Sequence, residues 1–504
     1  MNFNDTHLTR WNYFNYFLVI VFIGSVLFPL IGIQGFLHGH EGWAGPDLYS
    51  PAINLDISKG FLARTIDENH NVMLDYHHHP LLGFYIYNLV AKISPDSYMW
   101  RLRFGYLFAT VILIIGWLIF YFFLKRLSYK RSVCLFATAL LACSIYYAHN
   151  KALTNFDSLT CITCSILLFA YHTLFNQTKI KYNFNIKIIL SWIIILISLN
   201  ISLYFYAVNF VFACIYIYEG FKNKYAIQTI LLSIILPFFI ICLFSISTIV
   251  VGIYLRGDFN NLIDIIIADA GSIESVSPDR KLAFTTLIIR LFYRFSENFN
   301  KYNICIIALI IYTKILIKES INKSYLKNLL VASPFIFGGL IFILLTRYWS
   351  VIHPFAFQII AIGVIIIVAN IATSHDTRIK FLVITSTSII LLYGIYQNYK
   401  IGKEDCDESV NTTALIKVVD DNFKKVSFNF LNTHSCGAFN PGMLWFISSY
   451  PNYTFNDKLE IGSKIIKVEC IDPQNSTLKF YNYSKTKSYY VTYGKKDYIV
   501  KDGQ

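Results

Sequence analysis

The chain has 504 residues, of which 55% are hydrophobic and 14% are charged, and its formal net charge is +13. A mean hydropathy of +0.50 excludes an ordinary soluble globular protein, in which about 25% of residues are charged. Lys and Arg residues are concentrated in short segments beside apolar runs, which is the positive-inside pattern and not the pattern of a nucleic-acid-binding surface. The composition predicts a polytopic membrane protein.

Apolar runs of roughly 20 residues, long enough to cross a bilayer, recur from residue 13 to residue 397. The run at 80–93 is shorter, about 14 residues, and is predicted to lie along the membrane surface. No cleavage site follows the first run, so it is expected to remain as a helix. About eleven spans are predicted, at 13–33, 102–124, 131–148, 158–175, 187–203, 204–220, 226–254, 302–317, 327–346, 351–372 and 379–397.

This topology places every basic segment in the cytoplasm, together with the N-terminus. These segments are 125–131, 179–187, 222–224, 314–327 and 378–380. An odd number of spans puts the C-terminal tail outside. Because Lys, Asn, Ile, Phe and Tyr are abundant, as in proteins from AT-rich genomes, a bacterial inner membrane is the expected location, with the tail in the periplasm.

Unusual polar residues gather on the outer face, in the loops 34–101, 149–157, 255–301 and 347–353. Ionisable groups within reach of lipid are costly, so these loops predict a functional site. Asp157 begins an apolar helix, where it is explained equally well as an N-terminal cap or as a catalytic residue, because a cap residue can also be a ligand. The candidate residues are Glu41, Asp47, His78, His79, Arg101, Arg103, Lys151, Asp157, Arg347 and His353.

The order of these motifs resembles the dolichyl-phosphate-mannose protein mannosyltransferase superfamily. The residues that carry the resemblance are Glu41-Gly42-Trp43 with Tyr49 and Gly60, then His78-His79-Pro80-Leu81-Leu82, Arg101-Leu102, a cytoplasmic Lys-Arg turn, and Asn155-Phe156-Asp157. The superfamily consists of membrane glycosyltransferases of the GT-C fold and includes the bacterial lipid A aminoarabinose transferases. The resemblance covers residues 10–175 by motif and the rest by hydropathy pattern. Where many relatives have two prolines after the histidines, this chain has Pro80-Leu81.

The resemblance implies transfer of a sugar from a polyprenyl phosphate carrier to a lipid, glycan or protein acceptor on the outer face, with inversion at the anomeric carbon. It also implies acidic residues in the first outer loop and at the start of the fourth helix, which Glu41 and Asp157 match. Residues 1–400 would form the GT-C-like catalytic domain, with surface juxtamembrane helices in loop 34–101.

Transfer of a sugar from a phosphate carrier to a hydroxyl requires the same residue types. A hydroxyl that attacks an anomeric carbon needs a general base, and Glu41 is the first choice, with Asp47 as the alternative loop carboxylate. The departing phosphate needs preorganised cations, for which the candidates are His78, His79, Arg101, Arg103, Lys151, Arg347 and His353. A guanidinium meets phosphate in a bidentate fork, which favours Arg101 or Arg347 over Lys151.

Other interpretations stay open. The histidines and Glu41 are also a candidate set for a divalent metal, although adjacent histidines point in different directions on most backbones; no cofactor is required otherwise. A transporter or flippase would also be polytopic, but its charges should lie near the bilayer midplane. An oligosaccharide polymerase or ligase would use late-loop arginines, of which only Arg347 qualifies.

Two segments predicted to lie outside, 255–301 and 401–504, differ in composition from the apolar runs. The first mixes charges with apolar residues at helical spacing and predicts an amphipathic surface helix that shapes acceptor choice or packs on the bundle. The second is more polar and predicts a small extracytoplasmic α/β domain, with a helix at 412–422 and strands at 426–430, 464–469, 478–483 and 489–493. One disulfide among Cys406, Cys436 and Cys470 is an option there.

Overall fold

The computed structural model describes most of the helical part of the chain and the strands of its C-terminal part. The described residues are 3–31, 64–66, 73–75, 80–95, 98–143, 157–175, 184–222, 227–255, 284–297, 323–345, 357–373, 377–408, 426–431, 453–454, 464–472, 477–482, 488–492 and 499–503.

Apolar helices dominate residues 3–408. They are α1 (Phe3–Leu30), α2 (Leu81–Ile93), α3 (Tyr98–Arg126), α4 (Arg131–Ala142), α5 (Asp157–Phe175), α6 (Phe184–Ile201), α7 (Tyr204–Lys222), α8 (Ile227–Ile230, Leu231–Ile235 and Leu236–Leu255), α9 (Phe284–Glu297), α10 (Lys323–Leu345), α11 (Gln358–Ala372) and α12 (Thr377–Glu408). Within the described residues, three segments are long and apolar enough to cross a membrane by length and composition: Arg103–Arg126, Tyr204–Lys222 and Ile227–Thr248.

Two contacts show that α3 and α5 run in the same direction. A Cβ atom added to Gly116 would lie 3.1 Å from the Cα atom of Ile162, and the ring centroids of Phe123 and Phe169 are 5.6 Å apart. Both contacts join residues separated by the same number of positions. The two helices are therefore parallel and stay in register along their shared length.

The C-terminus of α3 and the N-terminus of α4 define one end of the bundle. A tight turn joins these helices, and Ser128 within it has a φ of 65°. Lys125, Arg126, Lys130 and Arg131 are all exposed around this turn. We call this the basic end, and we call the end where α3 and α5 begin the opposite end.

A hydrogen bond across the bundle shows which end of α11 lies at the basic end. The Tyr129 hydroxyl in the turn donates to Asn370 Oδ1, and both residues are buried. Asn370 lies in the last turn of α11, so α11 ends at the basic end. Because α12 begins at Thr377, only a few residues further on, it starts there and runs toward the opposite end.

Close approaches at glycines show that α10 is antiparallel to both of its neighbours. A Cβ atom on Gly338 would lie 2.6 Å from the Cα atom of Val208 in α7, and one on Gly339 would lie 2.5 Å from Cγ1 of Ile360 in α11. The Tyr204 ring, which precedes Val208 in α7, meets Phe342, which follows Gly338 in α10. Small residues let helix backbones approach closely, which is a main source of packing energy inside a bilayer.

The first and last of these helices pack together as a parallel pair. Ring centroids of Phe28 and Tyr399 are 5.6 Å apart, and Asn398 Nδ2 donates to Ser25 Oγ at 3.4 Å, both near the C-terminal half of α1. Since α12 starts at the basic end, α1 starts there too. The α12 helix has 32 residues and is about 48 Å long at 1.5 Å per residue, longer than a bilayer core of about 30 Å.

Prolines interrupt the backbone hydrogen bonding of two helices. In α8 a π-helical turn, Leu231–Ile235, ends two residues before Pro237, whose ring would clash with the carbonyl four residues earlier in a regular α-helix. In α10, Pro334 removes the N–H partner of the Leu330 carbonyl. The Ser333 hydroxyl donates to that carbonyl at 2.9 Å, so the carbonyl stays hydrogen-bonded.

Described helices lie at ten of the predicted spans, with different limits, whereas the predicted span 302–317 lies outside the described residues, so the count of eleven stays a prediction. The α4 helix ends at Ala142, before its predicted limit of 148, with Cys143 as its C-cap. The α12 helix extends past its predicted limit of 397 to Glu408, because its polar last part contains good helix formers such as Lys and Glu.

The C-terminal part contains a mixed six-stranded sheet with the order β4-β3-β5-β6-β7-β8. Its strands are β3 (Val426–Leu431), β4 (Tyr453–Thr454), β5 (Lys464–Asp472), β6 (Thr477–Asn482), β7 (Ser488–Thr492) and β8 (Ile499–Gly503). β3 pairs in parallel with β4 and β5, and the other pairs are antiparallel. The four predicted strands correspond to β3, β5, β6 and β7, while the helix predicted at 412–422 lies outside the described residues.

Candidate functional site

The structure describes the backbone of three of the ten predicted site residues, all at the opposite end. Arg101 and Arg103 lie in the first turns of α3, and Asp157 is the first residue of α5. The other seven, and with them the metal-binding alternative, lie outside the described residues: Glu41, Asp47, His78, His79, Lys151, Arg347 and His353.

The parallel register of α3 and α5 sets the relative depth of these residues. Extended from Gly116 and Ile162, it puts Asp157 level with Val111. Arg103 lies two turns nearer the start of α3, which is about 12 Å at 1.5 Å per residue. The arginines therefore extend beyond the start of α5, and the acidic residue lies deeper in the bundle.

Arg103 is the member of this set whose side chain the structure describes, and it is half-buried. A guanidinium is always charged and offers a planar fork of donors that suits a phosphate. Partial burial at a helix end strengthens such a contact, because the surroundings screen charge less than water does. A side chain of this type can bind an anion at this end of the bundle.

The short helix α2 covers α3 between these two depths. The Tyr87 ring packs edge-on against Phe108, with centroids 5.7 Å apart, and Phe108 lies between Arg103 and Val111 in α3. With 13 residues, α2 is about 20 Å long, too short to span a bilayer core of about 30 Å. It forms a wall of the bundle beside the predicted site.

Two polar residues of α2 belong to this wall and were missed by sequence analysis. Asn88 is only 8% exposed. Burial raises the pKa of the Tyr85 phenol above its ordinary value. The available signal was an Asn within an otherwise apolar run that directly follows the histidine triplet.

A two-stranded hairpin lies in loop 34–101, for which the sequence predicts juxtamembrane helices. Its strands are β1 (Arg64–Ile66) and β2 (Met73–Asp75), and Arg64 is the register partner of Asp75. β2 ends just before the predicted histidines. The loop thus combines a hairpin with the helix α2.

The amphipathic helix expected in segment 255–301 is present as α9, and it lies at the opposite end. The Phe295 ring is 6.0 Å from that of Phe357, the residue before α11 begins. Ile289 and Phe292 on α9 are exposed, at 68% and 48%. One face of α9 therefore packs on the bundle while another presents apolar side chains outward, as in a helix lying at a membrane surface.

No protein-family model matches the chain, and no curated protein matches it significantly. Its structure is similar to the crystal structure of ArnT from Cupriavidus metallidurans bound to undecaprenyl phosphate, at 12% sequence identity and a TM-score of 0.48. The similarity covers 96% of this chain and 97% of that one. The apo crystal structure of the same ArnT matches with 12% identity, a TM-score of 0.47, and the same coverage of both chains.

Proposed function

We propose that this protein is a membrane glycosyltransferase that takes a sugar from a polyprenyl phosphate carrier at the opposite end of the bundle. The observation that carries the proposal is the parallel packing of α3 and α5. It brings Arg101, Arg103 and Asp157 to one end, away from the basic turn. Cations and a carboxylate at the rim of an apolar bundle suit a substrate that has a lipid tail, a phosphate and a sugar.

The proposed reaction is inverting transfer to a hydroxyl or phosphate acceptor. Glu41, or Asp47 in its place, accepts the proton of the attacking hydroxyl as the new bond to the anomeric carbon forms. The bond from that carbon to the carrier phosphate breaks, and its electron pair leaves with the phosphate. Asp157 lies deeper and is assigned to the sugar or the acceptor.

The carrier phosphate is assigned to the cations of the outer loops. Arg103 and Arg101 supply bidentate donors from α3, and His78, His79, Lys151, Arg347 and His353 are the further candidates. Such groups stabilise the charge that develops on the leaving phosphate without reorganising. The α9 helix is assigned a covering role at the same end, where closing a site excludes water and helps to select the acceptor.

The helix directions support the orientation required for this reaction. A basic end faces the cytoplasm by the positive-inside rule, so the opposite end faces outward. α1 starts at the basic end, which puts the N-terminus in the cytoplasm. α12 runs to the opposite end, so the sheet that follows it is assigned to the outside, in the periplasm of a bacterial inner membrane.

The test is donor turnover by the purified full-length protein in lipid. Wild type, Glu41→Gln and Asp157→Asn are incubated with labelled polyprenyl-phosphate sugars, and release of polyprenyl phosphate is followed. Glu219→Gln is the matched control, because it makes the same change at the basic end, where Glu219 pairs with Lys222 at 3.7 Å. All variants are checked for folding by thermal unfolding.

We expect turnover in wild type and Glu219→Gln and its collapse in the folded Glu41 and Asp157 variants. If wild type releases no polyprenyl phosphate with any donor, the transferase proposal fails and a transporter or flippase becomes the leading function. If turnover depends on Arg347 and not on Glu41 or Asp47, the polymerase or ligase alternative is favoured. An acceptor search among lipid A, glycans and proteins follows a positive result.

A further inference from the structure

A groove on the lipid-facing side of the bundle lies at the basic end, away from the proposed active site. It has a volume of about 310 Å³ and lies between the C-terminal half of α5 and the N-terminal half of α6, beside the end of α3. Ligand pockets range from about 300 to 1,000 Å³, so this one suits a narrow ligand. We call it the α5–α6 groove.

The walls of the groove are mostly apolar and partly open to the surroundings. Leu190 is 48% exposed, and Ile166, Phe169, Ala170 and Ile194 are half-buried. An apolar groove in a bilayer does not hold water stably, and an empty one forfeits dispersion contacts along its walls. A hydrocarbon chain restores those contacts.

The hydroxyl groups in the groove are already engaged with the helix backbone. Thr173 donates to the Phe169 carbonyl at 2.8 Å, and Ser191 donates to the Ile188 carbonyl at 2.8 Å. Neither hydroxyl proton is therefore directed at a ligand. The charged donor at the groove is the exposed guanidinium of Arg126, the last residue of α3.

The chain segments that adjoin the groove contain basic residues and no acidic ones. Segment 125–131 contains four basic residues and segment 176–187 contains Lys179, Lys181 and Lys187, and neither segment contains an acidic residue. These segments adjoin the ends of α3, α5 and α6 that line the groove. Glu219, the one acidic residue among the side chains that the structure describes, lies beside Lys222.

We infer that the α5–α6 groove binds one anionic phospholipid of the cytoplasmic leaflet. An acyl chain lies along Phe169, Ala170 and Ile194, and the phosphate meets Arg126. Basic pockets between transmembrane helices on the cytoplasmic side recognise anionic head groups, and each Lys or Arg near the surface contributes about 1 kcal/mol of attraction. This inference does not depend on the proposed function, because the groove is at the other end of the bundle.

Native mass spectrometry of the full-length protein in detergent tests the assignment. The protein is mixed with equal amounts of phosphatidylglycerol and phosphatidylcholine that have identical acyl chains, and the first bound lipid is quantified. We expect wild type to retain phosphatidylglycerol about fivefold more than phosphatidylcholine. Arg126→Gln should lose this preference, whereas Lys222→Gln, the same charge change at the same end but outside the groove, should keep it.

A second variant separates the acyl chain from the head group. Ala170→Phe fills the groove without changing charge and should reduce retention of both lipids, and Ala170→Leu is the smaller substitution if the first unfolds. Equal retention of the two lipids by wild type overturns the inference, as does equal loss in Arg126→Gln and Lys222→Gln. Wild-type binding by the folded Ala170 variants, or stronger retention of polyprenyl phosphate than of phosphatidylglycerol, also overturns it.

Discussion

The two ends of the bundle are built differently. At the basic end, a tight turn and the buried Tyr129–Asn370 hydrogen bond tie α3, α4 and α11 together, and the charged side chains around them are exposed. At the opposite end, α3 and α5 start at different depths, and Arg103 is half-buried there. From this difference we expect the basic end to contribute mainly to stability and, if the proposed function holds, the opposite end to bind the substrate. Substitutions at the two ends should therefore separate stability from activity.

The largest expected effect is on turnover at the opposite end. Arg103→Gln should reduce release of polyprenyl phosphate about 10²- to 10³-fold, as loss of one preorganised donor does. Arg103→Lys should recover only part of the rate, because an ammonium lacks the bidentate fork. The measurement is steady-state turnover, with Lys130→Gln at the basic end as the matched control. A similar loss in Lys130→Gln would remove the functional distinction between the ends.

The next effect is on stability in the middle of the bundle. Gly338→Ala should destabilise the protein by about 2–3 kcal/mol, because the added Cβ would lie 2.6 Å from the Val208 backbone. The thermal unfolding midpoint in detergent measures this. Gly24→Ala is the control, since its Cβ would meet the Phe28 ring at 3.3 Å and no backbone atom that close. Equal effects of the two substitutions would show that α7 and α10 do not approach as described.

A smaller loss of stability is expected at the basic end. Tyr129→Phe leaves the buried Asn370 side chain without its hydroxyl partner and should cost about 1–2 kcal/mol. Tyr121→Phe, on the partly exposed face of α3, is the control and should have little effect. Turnover per folded molecule should be unchanged in both. A drop in turnover without a drop in stability would connect the basic end to catalysis.

The smallest expected effect is a gain in stability at Ser128, in the turn between α3 and α4. Ser128 has a φ of 65°, in the left-handed region where an L-residue is strained and glycine is not. Ser128→Gly should therefore raise the stability by about 0.5–1 kcal/mol, seen as a modest increase in the unfolding midpoint. Ser132→Gly, in the first turn of α4, should have the reverse sign and a smaller size, because glycine weakens a helix even where its end is only partly hydrogen-bonded. A loss of stability in Ser128→Gly would mean that its side chain, and not its backbone, matters in the turn.

Much of the fold follows from local sequence patterns, whereas the site depends on contacts that local patterns do not contain. Apolar length predicts α8 and α2, and alternation predicts β5 and β6. Apolar length does not predict the end of α12, because a helix that continues beyond its apolar part loses the apolar signal while it keeps its helical hydrogen bonds. The depth of Asp157 relative to Arg103 could not be predicted from the sequence. It depends on the register between α3 and α5, in which Gly116 lies against Ile162, and only tertiary packing sets that register.

The pairing of α1 with α12 has a consequence for biogenesis. Asn398 and Ser25 are separated by 373 positions in the chain, yet they form a buried hydrogen bond. Chain synthesis proceeds from the N-terminus, so the first helix enters the bilayer long before its partner exists. Its face around Gly24 stays uncovered during that interval, and the bundle closes only when the last helix arrives. A ribosome-bound chain that stops before residue 377 should therefore depend on insertion factors or lipids to shield α1.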